Sequence, residues 1–314
     1  MAGKIYVEAL NDLPTGQMLE GIFVVTNIDF MPFKHKAGKF LTCTLADRTG
    51  TVKGVVWENA ETVKFKNDNV IKLRGSIGRF NDQLQVVIEK YIIDASSYPT
   101  EFVKSLPKED YNKMRKQFLE TQKIITDPIY QKVWKYCDED EKFWLCPGGK
   151  GVHHAYLHGL ADHTIEMLSS GKTMIRQYSL DAQLLLTGIL AHDIGKTWAY
   201  TWQTTLGMTD LGKLVDHTAL GVHIIASLFS GSLNDERVLR LLHMVESHHG
   251  QYGTTKPMFQ EAVVLAHLDN ISATVDHING FVNESTAEWT QYDKLNQCSY
   301  FGRKASVGCS TSQW

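Results

Sequence analysis

The chain has 314 residues, 43% of them hydrophobic and 21% charged, with a formal net charge of −3. That length fits about two domains, and the near-neutral balance excludes a polycation, so any affinity for nucleic acid must come from a local patch. The five cysteines (Cys43, Cys137, Cys146, Cys298, Cys309) are never spaced C-x-x-C, which argues against a disulfide framework or a thiolate zinc site.

The N-terminal MAGKIYVEALNDLPTG has no apolar core of signal-peptide length, and no apolar run reaches about 18 residues. No membrane partner and a reduced cytoplasmic location are therefore expected. Residues 1–97 read as a β domain. Five segments rich in β-branched and aromatic residues follow one another: GQMLEGIFVVTNIDFMPF, GKFLTCTLADRTG, TVKGVVWE, NVIKLRGSIGRF and DQLQVVIEKYIID. Turn residues at Asp47–Gly50 and Asn81–Asp82 separate them, and NAETVKFKN reads as a short helix between the third and fourth. Five strands with that insertion predict a five-stranded OB-fold barrel.

Such barrels bind oligonucleotides through strands 2–3 and the loops after strands 1 and 4. The loop after strand 1, FMPFKHKAGKF, interleaves Lys34, Lys36 and Lys39 with Phe30, Phe33 and Phe40. The loop after strand 4 carries Arg79 and Phe80. Cations for the phosphates and rings for the bases suit sequence-tolerant binding of a single strand. Phe33, Lys34, Lys36, Lys39, Arg79 and Phe80 are the candidate contacts, while Phe30 and Phe40 are equally suited to the barrel core.

Residues 98–150 read as a helical linker, with nine basic and nine acidic residues between 101 and 145. Residues 151–295 are helical throughout and hold most of the histidines. Residues 296–314, with little apolar periodicity, read as a tail. The fold class is thus multidomain α+β, a barrel followed by an all-α domain.

A helical wheel sorts the histidines of the third stretch. His163 falls among Leu160, Thr164 and Met167, and His192 continues Leu185 and Ile189 with Asp193 beside it. His217 leads Gly221, Ile224 and Leu228, and Asp269 follows Ala262, Leu265 and Ala266. His248 and His249 both extend the row Val238, Leu241, Leu242 and Val245, so the choice between them stays open. His154, His158, His223, His243 and His267 fall off these rows. Five helices that each bring imidazole or carboxylate to an apolar face point to one shared polar site. Mixed imidazole and carboxylate ligands suit Mn, Fe, Co, Ni or Zn. His163, His192, Asp193, His217, His248 or His249, and Asp269 suffice for two ions if Asp193 bridges them. The bridge would also explain how a carboxylate survives at the end of the apolar run ILAHD. Gly195 would allow a tight bend there, and Lys196, one turn past His192, would reach toward substrate phosphate.

The series His163, His192-Asp193, His217, His248-His249, Asp269 resembles the HD-domain superfamily of metal-dependent phosphohydrolases. HHAYLHGLADH (153–163), HDIGK (192–196), ESHHG (246–250) and HLDNISA (267–273), together with the barrel, make the chain similar to YhaM-type 3′→5′ exoribonucleases over about residues 15–280. His158 and the tail depart from that pattern. The resemblance implies Mn-type divalent dependence and release of nucleoside 5′-monophosphates from a single-stranded 3′ end. Asp193 and Lys196, with His154 or His249 on the phosphate, would be its catalytic residues. RNA is the expected substrate, single-stranded DNA a second one, and a homo-oligomer is left open. The rival readings are a phosphohydrolase of a cyclic dinucleotide or nucleoside triphosphate, and a single-strand-binding protein with an inactive helical domain.

Overall fold

The computed structural model describes residues 5–33, 35–94, 99–149 and 154–302. Lys34, the tail from 303 onward, and the segments 95–98 and 150–153 lie outside them. The chain divides into two compact units, 1–105 with 201–207, and 106–200 with 208–314.

In the first unit, β1 (Met18–Pro32), β2 (Lys39–Asp47), β3 (Gly50–Val56), β4 (Val70–Phe80) and β5 (Gln83–Asp94) form a closed barrel in the order β1-β2-β3-β5-β4. β1 closes antiparallel on β4, and β3 runs parallel to β5. This is the OB-fold. Period-two alternation sends Phe23 and Val25, then Leu41, Cys43 and Leu45, then Val86 and Ile88 into one core. The β4–β5 hairpin turns on Asn81 and Asp82, at φ +50° and +60°, the paired left-handed conformation that a two-residue loop requires.

Two local expectations differ from the structure. β1 runs on to Pro32 across a register shift between Thr26 and Asp29, with Asn27 at φ +51°. The bulge resets the alternation, so Phe30 and Met31 pair with Leu41 and Phe40 on an exposed strand extension instead of lying in a loop. The segment NAETVKFKN forms only a 3-10 turn at Ala60–Thr62. Phe65 leaves that turn to enter the barrel core, which stops a longer helix.

The second unit is helical. After α1 (Pro99–Phe102) of the first unit come α2 (Lys108–Gln122), α3 (Pro128–Glu139), α4 (Glu141–Leu145), α5 (Gly159–Tyr178), α6 (Ala182–Ala191), α7 (Lys196–Ala199), α8 (Asp210–Leu214), α9 (His217–Leu228), α10 (Glu236–Ser247) and α11 (Gln260–Glu284). Aspartates start five of them: Asp127, Asp140, Asp181, Asp216 and Asp235 accept first-turn N–H groups of α3, α4, α6, α9 and α10. α6 is buried on every side from Leu184 to Ala191, so it is the central helix, with α3, α5, α10 and α11 packed around it. Trp134 of α3 is fully buried and donates from Nε1 to Thr187 Oγ1 of α6 at 3.1 Å. The polar stretch before 150 thus packs into this unit. Among the described residues no helix is long and apolar enough to cross a membrane.

Candidate metal centre

Five segments of the helical unit deliver the ligand-type side chains. His163 and Asp269 sit within α5 and α11. His192 is the C-cap of α6, and Asp193 lies in the turn that follows. His217 opens α9, His248 is the C-cap of α10, and His249 comes next. Gly195 is needed there for space and not for its backbone angle, since its φ is −63°. A Cβ at 195 would lie 1.9 Å from His217 O, so only glycine lets this turn approach α9.

The side chains form two adjoining sets. His163, His192, Asp193 and Asp269 place one ligand atom each within 4.8 Å of one another, and so do His217, His248 and His249. Asp193 stands between the sets. Its Oδ2 lies 3.3 Å from His192 Nε2 and 3.9 Å from His163 Nε2. Its Oδ1 lies 3.4 Å from His217 Nε2 and 3.6 Å from His248 Nε2. His163 Nε2 is 3.2 Å from Asp269 Oδ1, and His249 Nε2 is 3.2 Å from His217 Nε2. Both His248 and His249 therefore reach the second set.

These residues fit a divalent cation. Asp193 Oδ1 and His248 Nε2 are buried with no hydrogen-bond partner, a costly state for either atom alone. The opposite ring nitrogens are committed elsewhere. His192 Nδ1 donates to Ile189 O at 2.7 Å, and His248 Nδ1 to Val245 O at 2.6 Å. His217 Nδ1 meets Asp216 Oδ1 at 2.6 Å, and His163 Nδ1 meets Ser272 Oγ at 3.0 Å. Carbonyls accept only, so the Nε2 lone pairs of His192 and His248 face inward, as metal-ligating imidazoles require.

The electrostatics agree. Burial opposes charge on Asp193, but the Lys196 ammonium and the His192 ring outweigh it and hold the carboxyl well below the usual range. Asp269 is likewise held low: burial opposes its charge, and His163 and His192 overcome it. Burial pushes His163 and His217 down, and takes His248 to about 3. His192 goes the other way: burial disfavours its charge, but the Asp193 carboxylate prevails and raises it.

Lys196 is 6% exposed, and its Nζ donates to Asp193 Oδ2 and to Gly148 O, each at 2.6 Å. In the protein as folded it is the cation that compensates Asp193. His154 precedes α5, at φ +44°, and is buried. Its ring centroid is 5.2 Å from that of His163, and its Nε2 is 3.3 Å from Glu166 Oε2. His158, the N-cap of α5, turns its Nδ1 to Trp144 O instead. Gly148, Asp216, Glu166 and Ser272 carry no sequence signal of their own, because their roles arise only from tertiary contact.

On the barrel, Phe33, Phe40 and Trp57 form a surface cluster. Phe33 lies 5.3 Å from Phe40 and 6.3 Å from Trp57, and Phe40 lies 4.8 Å from Trp57, centroid to centroid. Lys36 Nζ sits 4.1 Å over the Phe33 ring. Lys39 is exposed, and Lys34 lies outside the described residues. At the β4–β5 turn Phe80 is 60% exposed, while Arg79 donates to Asn11 O at 3.1 Å. Trp57 is missing from the candidates read from sequence. Its place just after β3, in VVWE, is the one signal that could have found it.

The family model of the HD domain matches residues 160–274, and that of the OB-fold nucleic acid binding domain matches residues 24–94. A 3′-5′ exoribonuclease YhaM from a Geobacillus species is 29% identical over 254 residues, which is 76% of this chain and 78% of the relative. One from Shouchella clausii is 31% identical over 255 residues, again 76% and 78%. Among solved structures, the second OB-fold domain of replication protein A from Methanococcus maripaludis is 17% identical. It covers 27% of this chain and 92% of that one, with a TM-score of 0.24.

Proposed function

The chain belongs to the YhaM family of 3′-5′ exoribonucleases, and from that membership we propose a metal-dependent enzyme that shortens single-stranded RNA from its 3′ end to nucleoside 5′-monophosphates. Single-stranded DNA is a second substrate. The observation that carries this reading is Asp193, with one oxygen turned to His163 and His192 and the other to His217 and His248.

Two ions, Mn²⁺ by preference, would be held by His163, His192, Asp193 and Asp269 on one side, and by Asp193, His217 and His248 on the other, with His249 adjoining. Divalent cations there supply Lewis acidity, lowering the pKa of water and drawing off charge from the phosphate. The protein's own groups do the rest. Asp193 keeps the two sets in register. Lys196 holds Asp193 charged and adds positive charge near the scissile phosphate. His154 and His249 contact the phosphate oxygens at the edges of the site. In the barrel, Phe33, Phe40 and Trp57 offer faces for the bases, and Lys36, Lys39, Arg79 and Phe80, together with Lys34 outside the described residues, are the further contacts for the strand. The free cysteines Cys43, Cys137, Cys146 and Cys298 suit a reducing cytoplasm.

The test is a time course on 5′-labelled single-stranded RNA with Mn²⁺, with EDTA and with the Asp193→Ala variant. A ladder shortening from the 3′ end only with Mn²⁺ and the native aspartate supports the reading. RNA bound but left intact by the Mn²⁺-loaded protein overturns it, as does near-normal turnover by Asp193→Ala.

A further inference from the structure

The four imidazoles with clear Nδ1 partners are not held alike. His192 and His248 donate to the main-chain carbonyls of Ile189 and Val245, and His217 faces the Asp216 carboxylate. Each of these partners can only accept, so the ring proton is forced onto Nδ1 and the Nε2 lone pair is left for a metal. His163 is the exception. Its Nδ1 meets the hydroxyl of Ser272 at 3.0 Å, and a hydroxyl can accept or donate. If Ser272 donated to Nδ1, the ring proton would move to Nε2 and His163 could not ligate.

A third residue favours the serine as acceptor, against the pull of Asp269 Oδ1, an acceptor 3.2 Å from Nε2. Ser272 Oγ lies 3.1 Å from Glu166 Oε2, and a carboxylate accepts only. The single Ser272 proton is therefore drawn to Glu166, and the serine oxygen is left to accept from His163. Glu166 stands one turn after His163 on α5, and Ser272 one turn after Asp269 on α11. The two helices that carry these two ligand side chains thus also carry the relay. The same Glu166 oxygen lies 3.3 Å from His154 Nε2, which fixes that ring beside His163.

We propose that Glu166 is a positioning residue for the metal centre: acting through Ser272, it sets the His163 proton on Nδ1 and so leaves Nε2 able to bind a metal. The proposal rests on reading the cluster as a metal site. Glu166 is 55% exposed at its side chain, so its effect belongs near the lower end of what outer partners of metal-bound histidines contribute.

The test uses the full-length protein stripped of metal and titrated calorimetrically with Mn²⁺ alone. Glu166→Ala, Ser272→Ala and the double variant are compared with wild type, and the thermal midpoint of each metal-free protein reports folding. Each single variant is expected to weaken Mn²⁺ binding about tenfold. The double variant is expected to bind no more weakly than Ser272→Ala, because both changes break one chain of hydrogen bonds. A merely structural role for Glu166 would instead give additive losses. Glu166→Gln, which keeps the size but can both donate and accept, carries the test if Glu166→Ala folds poorly, and it too should lose affinity. Unchanged affinity in the Glu166 variants, or additive losses, overturn the proposal. Wild type that binds Mn²⁺ yet leaves RNA intact would overturn the exonuclease reading and leave the relay standing.

Discussion

Replacing Asp193 with asparagine separates its electrostatic role from its shape. The Asp193 and Lys196 side chains are 4% and 8% exposed, and their charged atoms are 2.6 Å apart. Solvent screening therefore does little to soften the loss. Removing one partner of a buried pair costs about 3–5 kcal/mol, because the remaining charge is left uncompensated. The lower end applies here, since the asparagine oxygen can still accept from Lys196 and Gly148 O still accepts as well. A loss of about 3 kcal/mol corresponds to a fall of roughly 6–12 °C in Tm for a unit of this size. Differential scanning of the metal-free protein measures it. Adding Lys196→Met, which removes the stranded charge at similar volume, should restore most of that stability. RNA shortening should stay lost in both variants, because neither restores the carboxylate between the two imidazole sets. An unchanged midpoint in Asp193→Asn, or a double variant no more stable than the single one, would refute the pairing argument.

His248 is pushed down to about 3 from an ordinary 6.5 by burial. The unfolded chain takes up a proton that the folded chain refuses, so stability is full above about pH 6.5 and falls as the pH drops toward 3. Between pH 6.5 and 5 this one ring accounts for about 2 kcal/mol. Urea unfolding of the metal-free protein should show that slope, and His248→Asn should show a smaller one, because His163 and His217 are pushed down as well; equal slopes would be contrary evidence. Gly195→Ala should destabilise by about 1–3 kcal/mol and lower activity with it, because its Cβ would press on His217 O, whereas Gly231→Ala, with nothing within 4 Å, serves as the silent control. Trp57→Ala should weaken binding of a single-stranded oligonucleotide in EDTA by the worth of one stacked base, about 1–3 kcal/mol, as read by anisotropy; unchanged binding would remove Trp57 from the strand-binding surface.

The barrel was readable because alternation and turn chemistry are local. Its five strands need only period-two burial and left-handed residues such as Asn81 and Asp82 at the hairpin. What was not readable is where locality fails. The bulge at Asn27 moved Phe30 onto a strand, and a core position for Phe65 cut a short helix to one turn. In the helical unit, His163 and Asp269 lie inside long helices, where a helical wheel applies, and the structure brings them within 3.2 Å of each other. The wheel put His154 off the row, whereas His154 precedes α5, is buried and reaches His163 from a left-handed turn. Nor could it choose between His248 and His249, since α10 ends at Ser247 and both join the cluster from beyond its last turn, His248 buried and His249 exposed. Lys196, read from sequence as reaching toward substrate phosphate, donates in the structure to Asp193 and to Gly148 O, which comes from a distant part of the chain.

The position of His192 and His248 at helix ends has a physical reason. The last carbonyls of a helix have no partner within it. His192 caps α6 by donating from Nδ1 to the carbonyl three residues back, Ile189 O, and His248 does the same to Val245 O on α10. One hydrogen bond thus satisfies a carbonyl at the helix end, fixes the ring and directs Nε2 away from the helix axis. Two helices ending side by side with this cap present two oriented lone pairs toward Asp193. His163, within the second turn of α5, finds its neighbours' carbonyls already bonded and takes a side chain from α11 as its partner. The proposed relay through Ser272 and Glu166 therefore belongs at this ring and not at the two that cap helices.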